Sequence, residues 1–392
     1  MSGPAPIHVV VVGSGLAGYG VLRELRKLAP DATLTLVTAD DGHFYSKPAL
    51  STALAKGKHA DTLVTTPAAK MAAQLRLDLR AGRGVEALDA GERVLLTTGG
   101  PIPYDKLVLA MGADPVKVTI EGEGATRARP VNNLDDYRAF RENLPNGARV
   151  LVMGGGLVGS EFANDLSGAG YKAVVVDMLS HPLAQLVPQQ VGDAIRDALA
   201  AQGVEWHLGR KVVSLDRADA ATIATLDDGT RIEADAVLSA VGLRPHIWLA
   251  RDAGLETARG IKVDATGRTS DPHIYAIGDC AEYPRGLAAY VTPIMAAARA
   301  IAPSALGTPT EIRFPPLSVQ VKTTAYPVVL LPAPIGVKGG WRKVSDGSDG
   351  LKYLFEDETG RTRGYVLTGS LCEERMDMDR SLSAAEAERE AA

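Results

Sequence analysis

Two six-residue stretches have the composition and spacing that phosphate binding requires. Gly13-Ser14-Gly15-Leu16-Ala17-Gly18 and Gly154-Gly155-Gly156-Leu157-Val158-Gly159 both read G-x-G-x-x-G, each after an apolar run and before a helical pattern. In such a turn the first glycine makes the tight bend and the second lets the backbone approach a pyrophosphate. The third lets the helix pack on the strand, with the helix N-terminus facing the phosphates. Either turn alone could be a tight connection without a ligand, but two in the same context point to two dinucleotide sites. About 20 residues past the second turn, the run KAVVV ends on Asp177, where a carboxylate would hold a ribose 2′-hydroxyl. A solvated strand-end aspartate is the other reading of that residue. No arginine follows closely to take a 2′-phosphate, which favours NADH over NADPH. The matching place after the first turn holds Thr38, with Asp40 and Asp41 just beyond, so the ribose contact there is open.

The elements that must position these turns are legible around them. IHVVVV is a continuous apolar run, as expected of a parallel strand covered on both faces. Leu16, Leu22, Leu25 and Leu28 then follow at helical spacing up to Pro30, and TLTLV is the next strand. ERVLLTTGGPIPYDKLVLA reads as a hairpin turning at Gly99–Gly100 and then a strand ending in Ala-Met-Gly. After a Glu-, Gly- and Arg-rich linker (114–130) and a helix at LDDYRAFRENL, the same order restarts at Arg149. It closes with ADAVLSAVGLRP, which echoes YDKLVLAMGADP, so the repeat includes the ending of the unit as well as its opening. From about residue 312 the texture becomes short strands with turn signals, an antiparallel piece, before a small, charged tail SAAEAEREAA expected to fray.

Composition narrows the function classes. The chain has 392 residues, 46% hydrophobic and 23% charged, and is long enough for two or three domains with their own cores. A net charge of −5 argues against nucleic acid as the main partner. The only cysteines, Cys280 and Cys372, exclude a disulfide framework or a cysteine-rich metal site and fit a reducing cytoplasm. The opening apolar run is too short to span a bilayer and is expected to be a core strand. His43, His181 and His246 show no metal-ligand spacing and read as surface or turn residues.

A further stretch, HIYAIGDCAE (273–282), is an apolar run ending in Gly278-Asp279. It resembles the second flavin fingerprint of the two-dinucleotide-binding-domain flavoproteins, the FAD-dependent pyridine nucleotide-disulfide oxidoreductases. AMG (110–112) and AVG (240–242) are similar to the connecting motif that ends the FAD and NAD modules of that family. The resemblance implies an α/β chain with two Rossmann-like dinucleotide-binding domains plus a C-terminal α+β antiparallel-sheet domain. The FAD domain would be discontinuous, 1–113 with 243–311. The NADH domain would be 114–242, and 312–392 an interface domain. FAD would lie on the first turn, with Thr38 and with Asp279 at its ribityl chain and pyrophosphate. NADH would lie on Gly154, Gly156 and Gly159, with Asp177 and Gly242.

Many members of the family pass electrons to a cysteine pair or a single redox cysteine early in the chain. Here that region reads HFYSKPALS (43–51), with Ser46 and Lys47 and no cysteine. The electrons must therefore leave the flavin for an outside acceptor. YSKPALS is similar to the Y-x-[RK]-P-x-L-S segment of the reductases that feed ferredoxins and rubredoxins. Together with TADDG, EFANDLS, SAVGLRP, GDCAE and VKT, it resembles the bacterial rubredoxin–NAD reductases, with the flavorubredoxin reductases as near relatives. That resemblance implies Lys47 beside the flavin ring and paired with Glu161, backbone contacts to the cofactor from Val85 and Val291, and Lys322 near the pyrimidine end of the isoalloxazine. A cation there would stabilise negative charge on the reduced ring. No side-chain acid or base is required. The implied partner is rubredoxin or a related small iron electron carrier, and Lys56 and Lys58 are first candidates for a basic rim that steers it. A [2Fe–2S] ferredoxin or a flavorubredoxin is the alternative acceptor, and a flavin-binding redox sensor is the reading from another class.

Overall fold

The computed structural model describes residues 6–288 and 290–391, with side chains through 384. The chain divides into two compact units. The first comprises Met1–Lys47, Val64–Asp114 and Leu243–Pro315, and the second Pro48–Leu63, Pro115–Gly242 and Pro316–Ala392.

The first unit is built on a five-stranded parallel sheet. Its order is Ile274–Ala276, Lys106–Leu109, His8–Val12, Thr33–Val37 and Asp78–Arg80. The valine run lies at the centre, with Val9, Val10 and Val11 fully buried, which is why it shows no polar alternation. Burying each such side chain favours the fold by about 1.5–3 kcal/mol. Helix Leu16–Leu28 turns Tyr19, Val21, Leu22 and Leu25 inward and packs against helix Val291–Ala305. The hairpin expected around Gly99–Gly100 is present, as Val94–Thr97 pairs with Gly100–Pro103 and with Val85–Asp89 in a three-stranded antiparallel sheet.

The second unit repeats that plan. Its parallel sheet runs Ala128–Arg129, Ala236–Ser239, Arg149–Met153, Lys172–Asp177, Glu205–Leu208. Again the strand leading into the glycines is central, and the strand ending in Ala-x-Gly lies beside it. Again a three-stranded antiparallel sheet, Val212–Ala218, Ala221–Leu226 and Arg231–Ala234, is inserted before that last strand. The linker is not loose. Glu121 bridges Ser214, and a Cβ on Gly122 or Gly124 would overlap the Leu215 carbonyl. Arg127 also donates to the carbonyls of Ala220 (3.0 Å) and Ala221 (2.5 Å).

The C-terminal part is a five-stranded antiparallel sheet, ordered Val319–Val321, Val328–Leu331, Thr362–Thr368, Gly350–Asp357, Gly339–Gly347. The tail departs from the expectation of fraying, because helix Arg375–Ala391 runs through it. Its first turns are tied down: Asp379 accepts from Ser318 Oγ (2.6 Å) and Tyr365 Oη (2.7 Å), and Arg375 Nε donates to Ser318 Oγ (3.0 Å). Met378 and Leu382 pack on Val329, Tyr365 and Leu367. Alanine, glutamate and arginine then continue the helix on propensity. His181, read as a surface or turn residue, lies at the bend that leads into the turn at 182–186, but not on the surface. It is buried, with Nδ1 bonded to Ser180 Oγ (3.0 Å), because Gly192 leaves room for its ring. Among the described residues no helix is long and apolar enough to cross a membrane.

Candidate functional site

In the first unit the central strand His8–Val12 delivers the glycine turn to the carboxyl end of the parallel sheet. Gly13 N donates to Val37 O (2.8 Å), and Gly13 has φ +106°, where a Cβ would overlap the Ala110 carbonyl oxygen. A Cβ on Gly18 would overlap the Gly13 carbonyl oxygen, so the helix sits directly on the turn. Gly15 differs. Its backbone is extended (φ −70°, ψ −173°), and a Cβ there would meet nothing within 4 Å. Two of the glycines are thus required by the protein's own backbone. The third faces open space beside a helix N-terminus that has neither a side-chain cap nor an acidic residue in its first turn. That is the cradle a pyrophosphate needs: free amide donors, a positive dipole end and no Cβ in the way. Leu16 and Ala17 open this helix, Ala17 on its buried side.

Ser14 and Thr38 turn toward one carboxylate. Ser14 Oγ donates to both oxygens of Asp40 (2.8 Å each), and Thr38 Oγ1 donates to Asp40 Oδ1 (2.7 Å). Asp40 is the residue that sequence reasoning left off its site. A search for an acid at the strand end stops at Thr38, while the loop folds Asp40 back by two residues. The Asp-x-Gly spacing, which lets Gly42 N donate to Asp40 Oδ1 (2.9 Å), was the available signal.

Gly278-Asp279 reaches the same turn from strand Ile274–Ala276, since a Cβ on Gly278 would press on Ala17 Cβ. Burial pushes the Asp279 carboxyl up, and the Lys47 ammonium partly offsets it. Two residues before Val85, Arg83 N donates to Thr38 O (2.9 Å). Val291 heads its helix and is 43% exposed. Cys280 is closed off as a packing residue, with no exposed surface, its Sγ 3.3 Å from the carbonyls of Leu109 and Ile277, and its thiol pushed up to about 11 by burial.

The second turn reproduces the first. Gly154 N donates to Val176 O (2.8 Å), a Cβ on Gly154 would overlap the Ala240 carbonyl, and one on Gly159 the Gly154 carbonyl. Gly156 (φ −71°, ψ −167°) again faces open space. Asp177 Oδ2 accepts from Gly155 N, and Oδ1 accepts from Leu179 N (2.7 Å), which fixes the carboxylate at the turn with lone pairs to spare. Gly242 ends the connecting motif at φ +109°. Arg210, distant in sequence, arrives here through its backbone, as Arg210 N donates to Asp177 O (2.9 Å). Its guanidinium is held by Asp228 (2.9 Å).

Glu161 and Lys322 belong to the second unit, where they form a polar cluster with Ser51 in which Glu161 and Ser51 are buried and Lys322 is partly exposed. Glu161 Oε2 accepts from Ser51 Oγ (2.5 Å) and Lys322 Nζ (2.8 Å), and Oε1 accepts from Lys322 N (3.1 Å). The sequence singles out both Glu161 and Lys322 but not their pairing with each other.

Comparison with known proteins now adds to this geometry. Residues 7–302 match the pyridine nucleotide-disulphide oxidoreductase family. The chain belongs to that family. Residues 311–382, the antiparallel sheet and the start of the last helix, match a rubredoxin binding C-terminal domain. A rubredoxin-NAD(+) reductase of Alcanivorax borkumensis is 42% identical over 96% of this chain and 98% of its own length. A nitric oxide reductase FlRd-NAD(+) reductase of Aeromonas hydrophila is 36% identical over 92% of this chain and 93% of its own. The crystal structure of a ferredoxin reductase from Rhodopseudomonas palustris superposes with a TM-score of 0.86 at 24% identity, covering 94% of this chain and 92% of that one, which shows a shared fold. In this oxidoreductase both cysteines are free thiols, and the described residues contain no cluster of metal ligands.

Proposed function

We propose that this chain is a flavoprotein reductase that takes hydride from NADH onto FAD and passes single electrons to rubredoxin. The carrying observation is the match of residues 311–382 to a rubredoxin binding domain, in a chain whose other residues match the oxidoreductase family and whose full length resembles a rubredoxin-NAD(+) reductase.

FAD is assigned to the first turn and NADH to the second, so 1–113 with 243–311 is the proposed FAD domain, 114–242 the NADH domain and 312–392 the interface domain. Gly15 and the uncapped helix N-terminus beside it support a bound pyrophosphate, and Asp279 orients the polar chain next to it. Gly156 supports the same role for NADH, with Asp177 accepting from the ribose hydroxyls; a 2′-phosphate would meet that carboxylate and an arginine already bound to Asp228. Bound FAD supplies the conversion between a two-electron hydride donor and a one-electron carrier. The protein's part is orientation and electrostatics. Lys47 and Lys322 place positive charge beside the ring, Val85 and Val291 give it backbone contacts, and Glu161 holds Lys322 in place. Lys56 and Lys58, exposed on the segment Pro48–Leu63, form a basic rim for an acidic carrier. The proposed compartment is the cytoplasm, where free thiols persist and NADH is supplied.

The deciding experiment is anaerobic NADH oxidation by the purified yellow protein, with rubredoxin, flavorubredoxin and a [2Fe–2S] ferredoxin offered separately. Fast turnover with rubredoxin is expected. Preference for another carrier would move the acceptor and leave the hydride step. Failure of NADH to bleach the bound flavin would overturn the enzyme reading and restore the sensor.

A further inference from the structure

Helix Leu157–Gly168 starts at the second glycine turn and is buried from Gly159 to Leu166. Four of those buried residues are polar, and one of them, Ser160, donates from its Oγ to Gly155 O (3.0 Å) within its own turn. The other three, Glu161, Asn164 and Asp165, are 5%, 6% and 2% exposed and lie at i, i+3 and i+4, on one face of the helix. A buried polar group left without a partner loses its hydrogen bonds to water with nothing in return, so each must be satisfied. The partners come from two segments far away in sequence. Asp165 accepts from the main-chain N–H of Leu54 (2.8 Å) and Ala55 (3.0 Å), and Glu161 from Ser51, which anchors the start of Pro48–Leu63. Asn164 Oδ1 accepts from Ala325 N (3.1 Å) and Asn164 Nδ2 donates to Thr324 Oγ1 (3.2 Å).

The turn Lys322–Ala325 is therefore clamped at both ends by one helix. Lys322 N is held by Glu161 and Ala325 N by Asn164, three residues along the same face. Between these anchors the Lys322 ammonium donates to the Glu161 carboxylate, at 2.8 Å. A free lysine side chain has many accessible rotamers and would otherwise spread its ammonium over many positions.

We propose that Asn164 is a positioning residue for Lys322: it acts through the main chain of the turn and fixes where the ammonium stands. Resting on the assignment of Lys322 to the flavin ring, this makes Asn164 a determinant of the hydride-accepting step, although it touches neither nucleotide. Removing it releases one end of the clamp and lets the ammonium leave its place, while the residues assigned to NADH are untouched.

The test is a double-mutant cycle on the holoenzyme with Asn164→Ala and Lys322→Ala. Three quantities are read: the anaerobic stopped-flow rate of flavin reduction by NADH, the KM for NADH, and the visible flavin bands. Misplacement of a charged group by about an ångström predicts a rate loss of roughly ten- to a hundredfold in N164A. The KM for NADH should stay within about twofold, since ground-state binding is unchanged. K322A should give the same band shift and a comparable rate loss, and the double variant should be no slower than K322A. Thr324→Val removes the hydroxyl from the other side of the clamp with little change in volume. It should slow the same rate about two- to threefold, and so serves if N164A fails to fold. Additive losses in the cycle, or a raised KM with an unchanged rate, would overturn the positioning role. A silent K322A, in a protein that binds FAD and is reduced by NADH, would overturn it along with the Lys322 assignment. A wild-type protein that binds no FAD would instead overturn the function on which both rest.

Discussion

Alanine at Gly13 and alanine at Gly15 should have opposite effects, though the residues are two apart in one turn. At Gly13 the backbone φ of +106° is a conformation that costs an L-residue about 1–3 kcal/mol. The new Cβ would also overlap the Ala110 carbonyl, and pushing that strand end aside adds about 1–3 kcal/mol. G13A should thus destabilise even the cofactor-free protein by about 2–6 kcal/mol, the sum of those terms. At Gly15 the backbone is extended and no atom lies within 4 Å of the new Cβ. Loss of glycine as an N-cap, up to about 1 kcal/mol, is offset by the about 0.4–1 kcal/mol gained from a less flexible unfolded chain. The cofactor-free G15A protein should therefore unfold within about 0.5 kcal/mol of wild type. The methyl group instead occupies the approach to the pyrophosphate. A ten- to hundredfold loss of FAD affinity is expected, about 1.4–2.7 kcal/mol, and the stabilisation that FAD gives should shrink by that amount. Urea unfolding of deflavinated and reconstituted proteins, with FAD titrated by fluorescence quenching, separates the two effects. FAD binding to G15A as tight as to wild type, or an apo G15A as unstable as G13A, would refute the assignment of this turn.

Asp177→Ala should raise the KM for NADH about ten- to a hundredfold, the loss of a hydrogen bond to a charged acceptor, and an unchanged KM would remove Asp177 from the ribose site. Cys280, fully buried with its thiol raised to about 11, presents almost no thiolate at pH 8 and should resist iodoacetamide in the native protein. Peptide mass spectrometry showing rapid alkylation of Cys280 under native conditions would contradict its packing role. Changing Lys56 and Lys58 together to Gln should lower the rubredoxin on-rate several-fold at low salt and flatten its dependence on ionic strength, because exposed charges are screened beyond about 10 Å at 0.1 M. A salt dependence identical to wild type would dismiss them as the steering rim.

The sequence by itself determined the repeated strand–turn–helix plan, because a buried parallel strand needs an unbroken apolar run and a phosphate turn needs glycines at set intervals. Gly18 and Gly159 would meet the carbonyls of Gly13 and Gly154 within their own turns, and Gly13 and Gly154 need a positive φ, so for these local requirements a one-dimensional pattern sufficed. Asp177 was legible for the same reason, since it ends its strand one residue past the register that pairs Met153 with Val176. The tertiary structure alone decided what depends on segments distant in the chain. Asp40 takes its place over the first turn only because its loop folds back onto Ser14 and Thr38. Arg210 reaches Asp177, 33 positions away, because the strand Glu205–Leu208 just before it pairs with the strand that Asp177 ends. The last helix, whose tail composition suggested fraying, is held by Ser318 and Tyr365, and neither is a neighbour in sequence. The cluster of Ser51, Glu161 and Lys322 joins residues up to 271 positions apart. Periodicity records which face of an element is buried, but it carries no record of which partner waits on the other side of that face.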